Sequence, residues 1–553
     1  MKKILIILVV IFSVLYVANY VVSPKIKYEK IIDMPSLEYN KQTLESSGDN
    51  DLMDDVVIVQ AYLEYESFGS AKKNYKNIRL SDHKEKKEKF RNDAKDYHHG
   101  NNNKLIKGID FGNYQELYVS KYSPFIDITY DYNYFMNHKD TILSNITKCK
   151  YIKEVRVNQE TIYNQNMTYT MRGCDAETVY TNRTKTGDGV IVGILEPGVI
   201  KTNDALLANV DITIRSSVHN LLGKSDHTTG MAQLIAGSTG VAPDVSLLNA
   251  YLYGTMSEEM DWMIDNGADI VNMSFSENGN FGTYSTVAAY ADYISYTYDI
   301  ILVASAGNRG QSDGYIGNPG LGYNVITVGS ADYTGPSNSF SSYITEVGPI
   351  KPTICVDGNE ITISADLDRV TGTSVSAALC SGLIALLLED YPNLVVEKEK
   401  LIALMVANAK DSIFYNYNQG NGFDLEVGAG LFSYQNIIDH YNTVFVYDNS
   451  TGQANTTYKS RQIYLQEGQT LRASFVHLAK ADGTTSGTEF TDYDIYIRNP
   501  QNEVLKVITD ASTNVMMVSY EAPSTGYYKL EFRQFSELKD IEDHVAFAYG
   551  VYN

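Results

Sequence analysis

A chain of 553 residues exceeds what one hydrophobic core holds, and 44% hydrophobic with 20% charged residues describes a globular protein rather than a disordered or fibrous one. The 45 Lys and Arg against 67 Asp and Glu leave a net charge of −22, which argues against nucleic acid as a partner. The four cysteines, Cys149, Cys174, Cys355 and Cys380, are widely spaced with no Cys-x-x-Cys pair, so neither a zinc site nor a disulfide framework is indicated.

In chain order, MKKILIILVVIFSVLYVANYVVSPK sets two lysines before an uncharged apolar run from Ile4 to Val22. This is an export signal, either a cleaved signal peptide or an uncleaved anchor (residues 1–24) that leaves the body outside the cell or on its surface. A polar linker, 25–51, follows. DDVVIVQAYLEY reads as a strand, HKEKKEKFRNDAKDY as a helix, QELYVSKYSPFIDITY as one or two strands, NYFMNHKDTILSNITK as a helix and YIKEVRVNQE as a closing strand. That order predicts a small α+β module over 52–165.

Over 166–442 the pattern changes to uniformly apolar runs, GVIVGIL, SLLNAYLY, DIVNMSF, DIILVASAG and NVITVGSA, alternating with helical stretches. Such strands are covered on both faces and predict a parallel α/β sheet whose sites lie beyond the C-terminal strand ends. The last segment, 443–553, has short alternating strands and turn signals, and predicts an all-β sandwich or jelly roll. Cys380 lies in an apolar helical run and reads as a small buried hydrophobe.

Four places stand out. Glu196 ends the strand IVGILE; His227 opens a helix rich in small residues; Asn308 follows the strand ILVASAG; Ser374 follows Gly372 and Thr373 at the start of an apolar helix. Each has an ordinary structural explanation, as solvated loop, structural histidine, turn or helix cap. Together they supply a carboxylate, an imidazole, an amide donor and a hydroxyl. A serine hydroxyl is a weak nucleophile until a base takes its proton, the imidazole needs a carboxylate to fix its tautomer, and the developing oxyanion needs preorganised donors.

On these residues the segment from about 170 to 439 resembles the subtilisin family of serine proteases. GTSVSAALCSGLIALLL resembles the family's serine motif, HTTGMAQLIAGSTGVAP its histidine motif, SAGN its oxyanion motif and IVGILEPGV its strand with the catalytic aspartate. ADIVNMSF resembles the strand beside the substrate cleft, and VGAGLFSYQNII the end of the catalytic domain. The resemblance implies a serine endopeptidase acting on proteins or peptides through an acyl-enzyme, with Ser374 as nucleophile, His227 as base, Glu196 in the aspartate's place and Asn308 as oxyanion donor. It implies no required cofactor, and structural calcium only as a family habit.

The chain departs from the family at Glu196, at Thr228 and Gly230 beside the histidine, and at Ala378 after the serine. Asp204 and Asp226 are nearby acids that could replace Glu196. Residues 52–165 look like the family's inhibitory propeptide, the chain's own partner, with self-cleavage expected between Gln159 and Arg172. The sandwich resembles those appended to secreted relatives. A membrane contact is implied only through residues 4–22 if they stay uncleaved. Two competing readings are a pseudoprotease serving as a binding or regulatory scaffold, and an adhesin working through 443–553.

Overall fold

The computed structural model describes residues 56–65, 68, 83–157, 161–163, 184–216, 224–252, 255–310, 312–332, 336–362, 369–450, 454–540 and 543–553. The export signal, the linker and most of the expected cleavage region lie outside these residues. The chain falls into two compact units: residues 1–65, 102–119 and 124–158 form one, and 66–101, 120–123 and 159–553 the other.

In the first unit β1 (Val56–Leu63), β2 (Glu116–Val119), β3 (Phe125–Asp131) and β4 (Ile152–Val157) form an antiparallel sheet in the order β2-β3-β1-β4. The helix α1 (His83–Leu105) begins in the second unit and ends in the first. α2 (Tyr132–Thr147) is capped by the Asp131 carboxylate, which accepts from the Tyr134 N–H at 2.8 Å. It buries Phe135, Ile142, Leu143 and Ile146 on the sheet beside Val57, Val59 and Ala61. The sequence QELYVSKYSPFIDITY thus makes two strands, and the four turn residues 120–123 between them group with the other unit.

The second unit is built on seven parallel strands: β6 (Ile191–Glu196), β7 (Ile212–Ile214), β8 (Ser246–Tyr251), β9 (Ile270–Met273), β11 (Ile301–Ser305), β12 (Ile326–Gly329) and β13 (Ile354–Cys355). Their order is β13-β12-β11-β9-β6-β8-β7. Two short pairs stand outside this sheet: β5 (Thr161–Tyr163) with β10 (Phe275–Glu277), and β14 (Ile361–Thr362) with β15 (Arg369–Val370). The helices are α3 (Asp226–Ala236), α4 (Ser257–Asp265), α5 (Thr286–Thr297), α6 (Thr373–Asp390), α7 (Lys398–Ala407) and α8 (Tyr434–Asp439). α6 is the one helix among the described residues long and apolar enough to cross a membrane, and it is buried in the fold. Its apolar residues run all round the helix because neighbours cover every face.

Eight further strands form two antiparallel sheets, β16-β23-β18-β21 and β17-β22-β19-β20. They are β16 (Val444–Asn449), β17 (Thr456–Leu465), β18 (Thr470–His477), β19 (Tyr493–Arg498), β20 (Val504–Thr509), β21 (Val515–Glu521), β22 (Gly526–Gln534) and β23 (Asp543–Tyr552). Residues two apart share a face of a strand, and in the first of these sheets both faces are covered. Leu471, Ala473 and Phe475 join Phe532 and Phe547 inside the sandwich, whereas Val476, Met517, Ala546 and Ala548 join the core of the parallel sheet. The Ser474 hydroxyl donates to the Ala403 carbonyl of α7 at 2.7 Å. Small side chains at Ala546 and Ala548 let the helix approach, so the sandwich and the parallel sheet share one continuous core and one compact unit.

Candidate active site

Glu196 ends β6, paired with Tyr251 of β8, and is fully buried. The chain then turns sharply: the Gly198 N–H returns to the Glu196 carbonyl at 2.8 Å. Asn249 of β8 fixes this turn, accepting from the Ile200 N–H at 2.9 Å and donating to the carbonyls of Ile194 at 3.1 Å and Gly198 at 3.4 Å. A parallel strand buried on both faces can end in a carboxylate only if that carboxylate finds a partner. Glu196 Oε2 lies 2.8 Å from His227 Nδ1.

His227 stands in the first turn of α3, which Ser225 caps by accepting from the Thr228 N–H at 3.2 Å. The Thr229 hydroxyl donates to the Ser225 carbonyl at 2.6 Å and accepts from the Lys201 N–H at 2.9 Å, tying the helix start to the loop that follows Glu196. An ionised carboxylate only accepts hydrogen bonds, so this pairing puts the imidazole proton on Nδ1 and leaves Nε2 as the basic nitrogen. Glu196 Oε1 is buried with no hydrogen-bond partner among the described residues.

Ser374 is the second residue of α6, where the first N–H groups have no partner within the helix and the helix dipole favours negative charge. The turn into α6 is made by Gly372 at φ 153°, a conformation that side chains with Cβ rarely adopt. The Ser374 hydroxyl donates to the Ser274 carbonyl at 3.2 Å, at the residue between β9 and β10. The Thr373 N–H donates to Asn308 Oδ1 at 2.9 Å, the Thr373 hydroxyl does the same at 2.9 Å, and the hydroxyl accepts from the Gly307 N–H at 3.0 Å. A backbone N–H can only donate, so the Asn308 oxygen faces Thr373 and its NH₂ group is turned the other way.

Of the sequence-predicted residues, Glu196 and His227 are in direct contact, and Asn308 and Ser374 are joined through Thr373. The two alternative acids have other roles: Asp204 caps a turn by accepting from the Leu206 N–H at 2.9 Å, and Asp226 is exposed and ion-paired to Lys201. Sequence reasoning missed Thr373, which holds the asparagine, and Ser274, whose carbonyl accepts from the Ser374 hydroxyl. Thr373 was visible only as a helix-start residue, and a backbone carbonyl leaves no signal in a sequence. Among the described residues no group of three or more His, Cys, Asp or Glu side chains gathers that could hold a metal ion.

The structure thus shows a buried carboxylate–imidazole pair at the C-terminal end of β6 and a serine in the first turn of α6, beside the residue that follows β9. Residues 187–430 match the model of the subtilase family. Subtilisin DY of Bacillus licheniformis is 31% identical over 246 residues, spanning 41% of this chain and 88% of that protein. A thermostable alkaline protease of Halalkalibacterium halodurans is 25% identical over 264 residues, spanning 45% of this chain and 71% of that protein. The crystal structure of fervidolysin from Fervidobacterium pennivorans aligns over 86% of this chain and 78% of that one, with a TM-score of 0.48 and 16% identity. The chain belongs to the subtilase family and is a serine-type endopeptidase.

Proposed function

We propose that this endopeptidase works with glutamate in the triad's acid position. Ser374 attacks the scissile carbonyl while His227 Nε2 takes its proton; Glu196 holds the Nδ1–H tautomer and balances the imidazolium charge. The Asn308 NH₂ group and the Ser374 N–H receive the oxyanion. The leaving amine takes the proton back from His227, and water then releases the acyl group from Ser374 by the same route in reverse. The observation that carries the reading is the buried 2.8 Å contact between Glu196 Oε2 and His227 Nδ1. The additional methylene of glutamate, compared with aspartate, still leaves the carboxylate within hydrogen-bond range.

We further propose that residues 52–165 are the enzyme's own restraining propeptide, with 166–442 as catalytic domain and 443–553 as a stabilising sandwich, and that the protein is exported through residues 1–24. The pairing of β5 with β10 supports the restraint. No cofactor is required by this mechanism.

A fluorophosphonate probe, which reacts with an activated serine, tests the reading together with hydrolysis of a denatured protein. Labelling and hydrolysis that both vanish in Ser374→Ala and fall in Glu196→Gln are expected. The pseudoprotease reading draws on the unpartnered Glu196 Oε1 and on Thr228 and Gly230; a folded protein that neither labels nor hydrolyses would establish it.

A further inference from the structure

A nucleophile in the first turn of a helix is fixed only as well as the peptide groups on either side of it. Before Ser374, the Thr373 N–H and hydroxyl are held by Asn308, just beyond β11. After it, the Ser374 carbonyl accepts from the hydroxyl of Ser274, just beyond β9, at 3.1 Å. β9 and β11 are neighbours in the sheet, paired through Met273 and Ala304, so two adjacent strand ends hold the first turn of α6. Ser274 also accepts from the Ser374 hydroxyl through its own carbonyl at 3.2 Å, and the two serines are bonded reciprocally.

A hydroxyl has one proton and a carbonyl only accepts, so the Ser274 proton points at the Ser374 carbonyl and the Ser274 oxygen is left to accept. Asn272 Nδ2 donates to that oxygen at 2.9 Å. This orientation turns Asn272 Oδ1 toward α6, where the Ser381 hydroxyl lies at 3.2 Å and shares its proton with the Ala377 carbonyl at 2.9 Å. Asn272 stands inside the sheet, opposite Val303 of β11 and Ile194 of β6, and its side chain, like those of Ser274 and Ser381, is fully buried. An amide among such apolar strands is costly unless both its ends are bonded, and here both are. Ser381 follows Ser374 by two helical turns on the same face, so these bonds pin α6 to β9 at two points.

We propose that Asn272 and Ser274 are positioning residues for Ser374, an inference that rests on the triad reading above. Asn272 directs the Ser274 proton onto the Ser374 carbonyl, and that bond sets the backbone angles from which Ser374 Oγ meets the scissile carbon. Neither side chain touches substrate. Their effect is on the alignment of the nucleophile, where a misplacement of about 1 Å can cost on the order of 100-fold in rate.

The test compares the full-length parent with Ser274→Ala, Ser274→Thr and Asn272→Leu. It measures kcat and KM on a denatured protein, counted per site that a fluorophosphonate labels to completion, together with the rate of that labelling. Ser274→Ala removes the donor and should lower kcat about tenfold at unchanged KM, with labelling slowed by a similar factor. Ser274→Thr keeps a hydroxyl and should recover most of that rate. Asn272→Leu keeps the volume but no longer directs the Ser274 proton, and should fall between the parent and Ser274→Ala. Counting per labelled site removes any loss caused by misfolded protein. An unchanged kcat in Ser274→Ala, a change in KM alone, or Ser274→Thr no faster than Ser274→Ala overturns the proposal and leaves the protease reading intact. Asn272→Leu at the parent's rate removes Asn272 from it. A parent that neither labels nor hydrolyses overturns the triad reading, and this inference with it.

Discussion

Shortening the triad acid is the sharpest perturbation of the proposed site. Glu196→Asp removes one methylene, so the carboxylate retreats by about 1.5 Å, one C–C bond length, if the strand end holds. The 2.8 Å contact to His227 would then open beyond hydrogen-bond range. A hydrogen bond to a charged group contributes roughly 1.5–3 kcal/mol, which predicts a loss in kcat/KM of about 10- to 100-fold. Glu196→Gln keeps the length but can offer an NH₂ group to Nδ1, which stabilises the wrong tautomer. The corresponding change in a well-studied serine protease costs roughly 10⁴-fold in turnover, and a loss larger than that of Glu196→Asp is expected here. Initial rates on a denatured protein, normalised to the fluorophosphonate-reactive fraction, measure both. Glu196→Asp as fast as the parent would mean that the strand end adapts or that this contact does not orient the base; Glu196→Gln as fast as the parent would remove Glu196 from the mechanism.

Asn308→Ala should lower kcat by about 10²–10³ with KM little changed, a magnitude taken from the loss of one oxyanion donor in a subtilisin, and a KM effect alone would place Asn308 outside the oxyanion site. Asp357, the residue before Gly358, whose carbonyl accepts from the Gly372 N–H at 3.0 Å, has its carboxyl pushed by burial from 3.8 to about 6. The folded state therefore holds a proton that the unfolded chain releases, and the stability this contributes is lost as pH rises from about 4 through about 6. Asp357→Asn does not titrate and its oxygen can still accept from the Asn359 N–H, so in a Ser374→Ala background its melting temperature should gain on the parent's as pH rises, by up to about 3 kcal/mol of stability; a pH-independent difference would refute the burial argument. Ending the chain at residue 442 would uncover the face of α7 that packs on the sandwich and the core shared with Ala546 and Ala548, so an insoluble or molten product is expected, and a soluble one with a cooperative melt would show the sandwich to be dispensable.

The four candidate residues stand out in the sequence because each lies within a few residues of an element boundary that the sequence marks strongly. Glu196 ends an apolar run, Asn308 follows another through Ala-Gly, and His227 and Ser374 open helices dense in small residues. What joins them was not legible, since the Thr373–Asn308 bond depends on bringing together positions 65 residues apart. The second covered face of the sandwich was hidden for a different reason. Period-2 alternation in ASFVH shows two faces but not what lies on each, and alanines at 546 and 548 read equally as packing sites or as weakly exposed strand positions. Strand β5 is three residues long, and nothing in Thr-Ile-Tyr distinguishes it from a linker until β10 lies beside it.

Whether the Glu196–His227 pair serves catalysis or only the fold can be separated by stability. Both side chains are removed from water, Glu196 fully, and the desolvation of such a pair is offset only in part by its mutual attraction. Replacing both members of a buried hydrogen-bonded pair with apolar side chains of similar shape can be nearly neutral or stabilising, whereas a pair that specifies the fold loses stability when replaced. Glu196→Met with His227→Phe, made in the Ser374→Ala background so that self-cleavage cannot intervene, should therefore melt at or above the temperature of Ser374→Ala alone. A substantial drop would mean that the strand end and α3 depend on this pair for their structure, the outcome a scaffold requires. An unchanged or higher melting temperature would mean that the fold does not need the buried carboxylate, leaving the activation of Ser374 as the role that accounts for it.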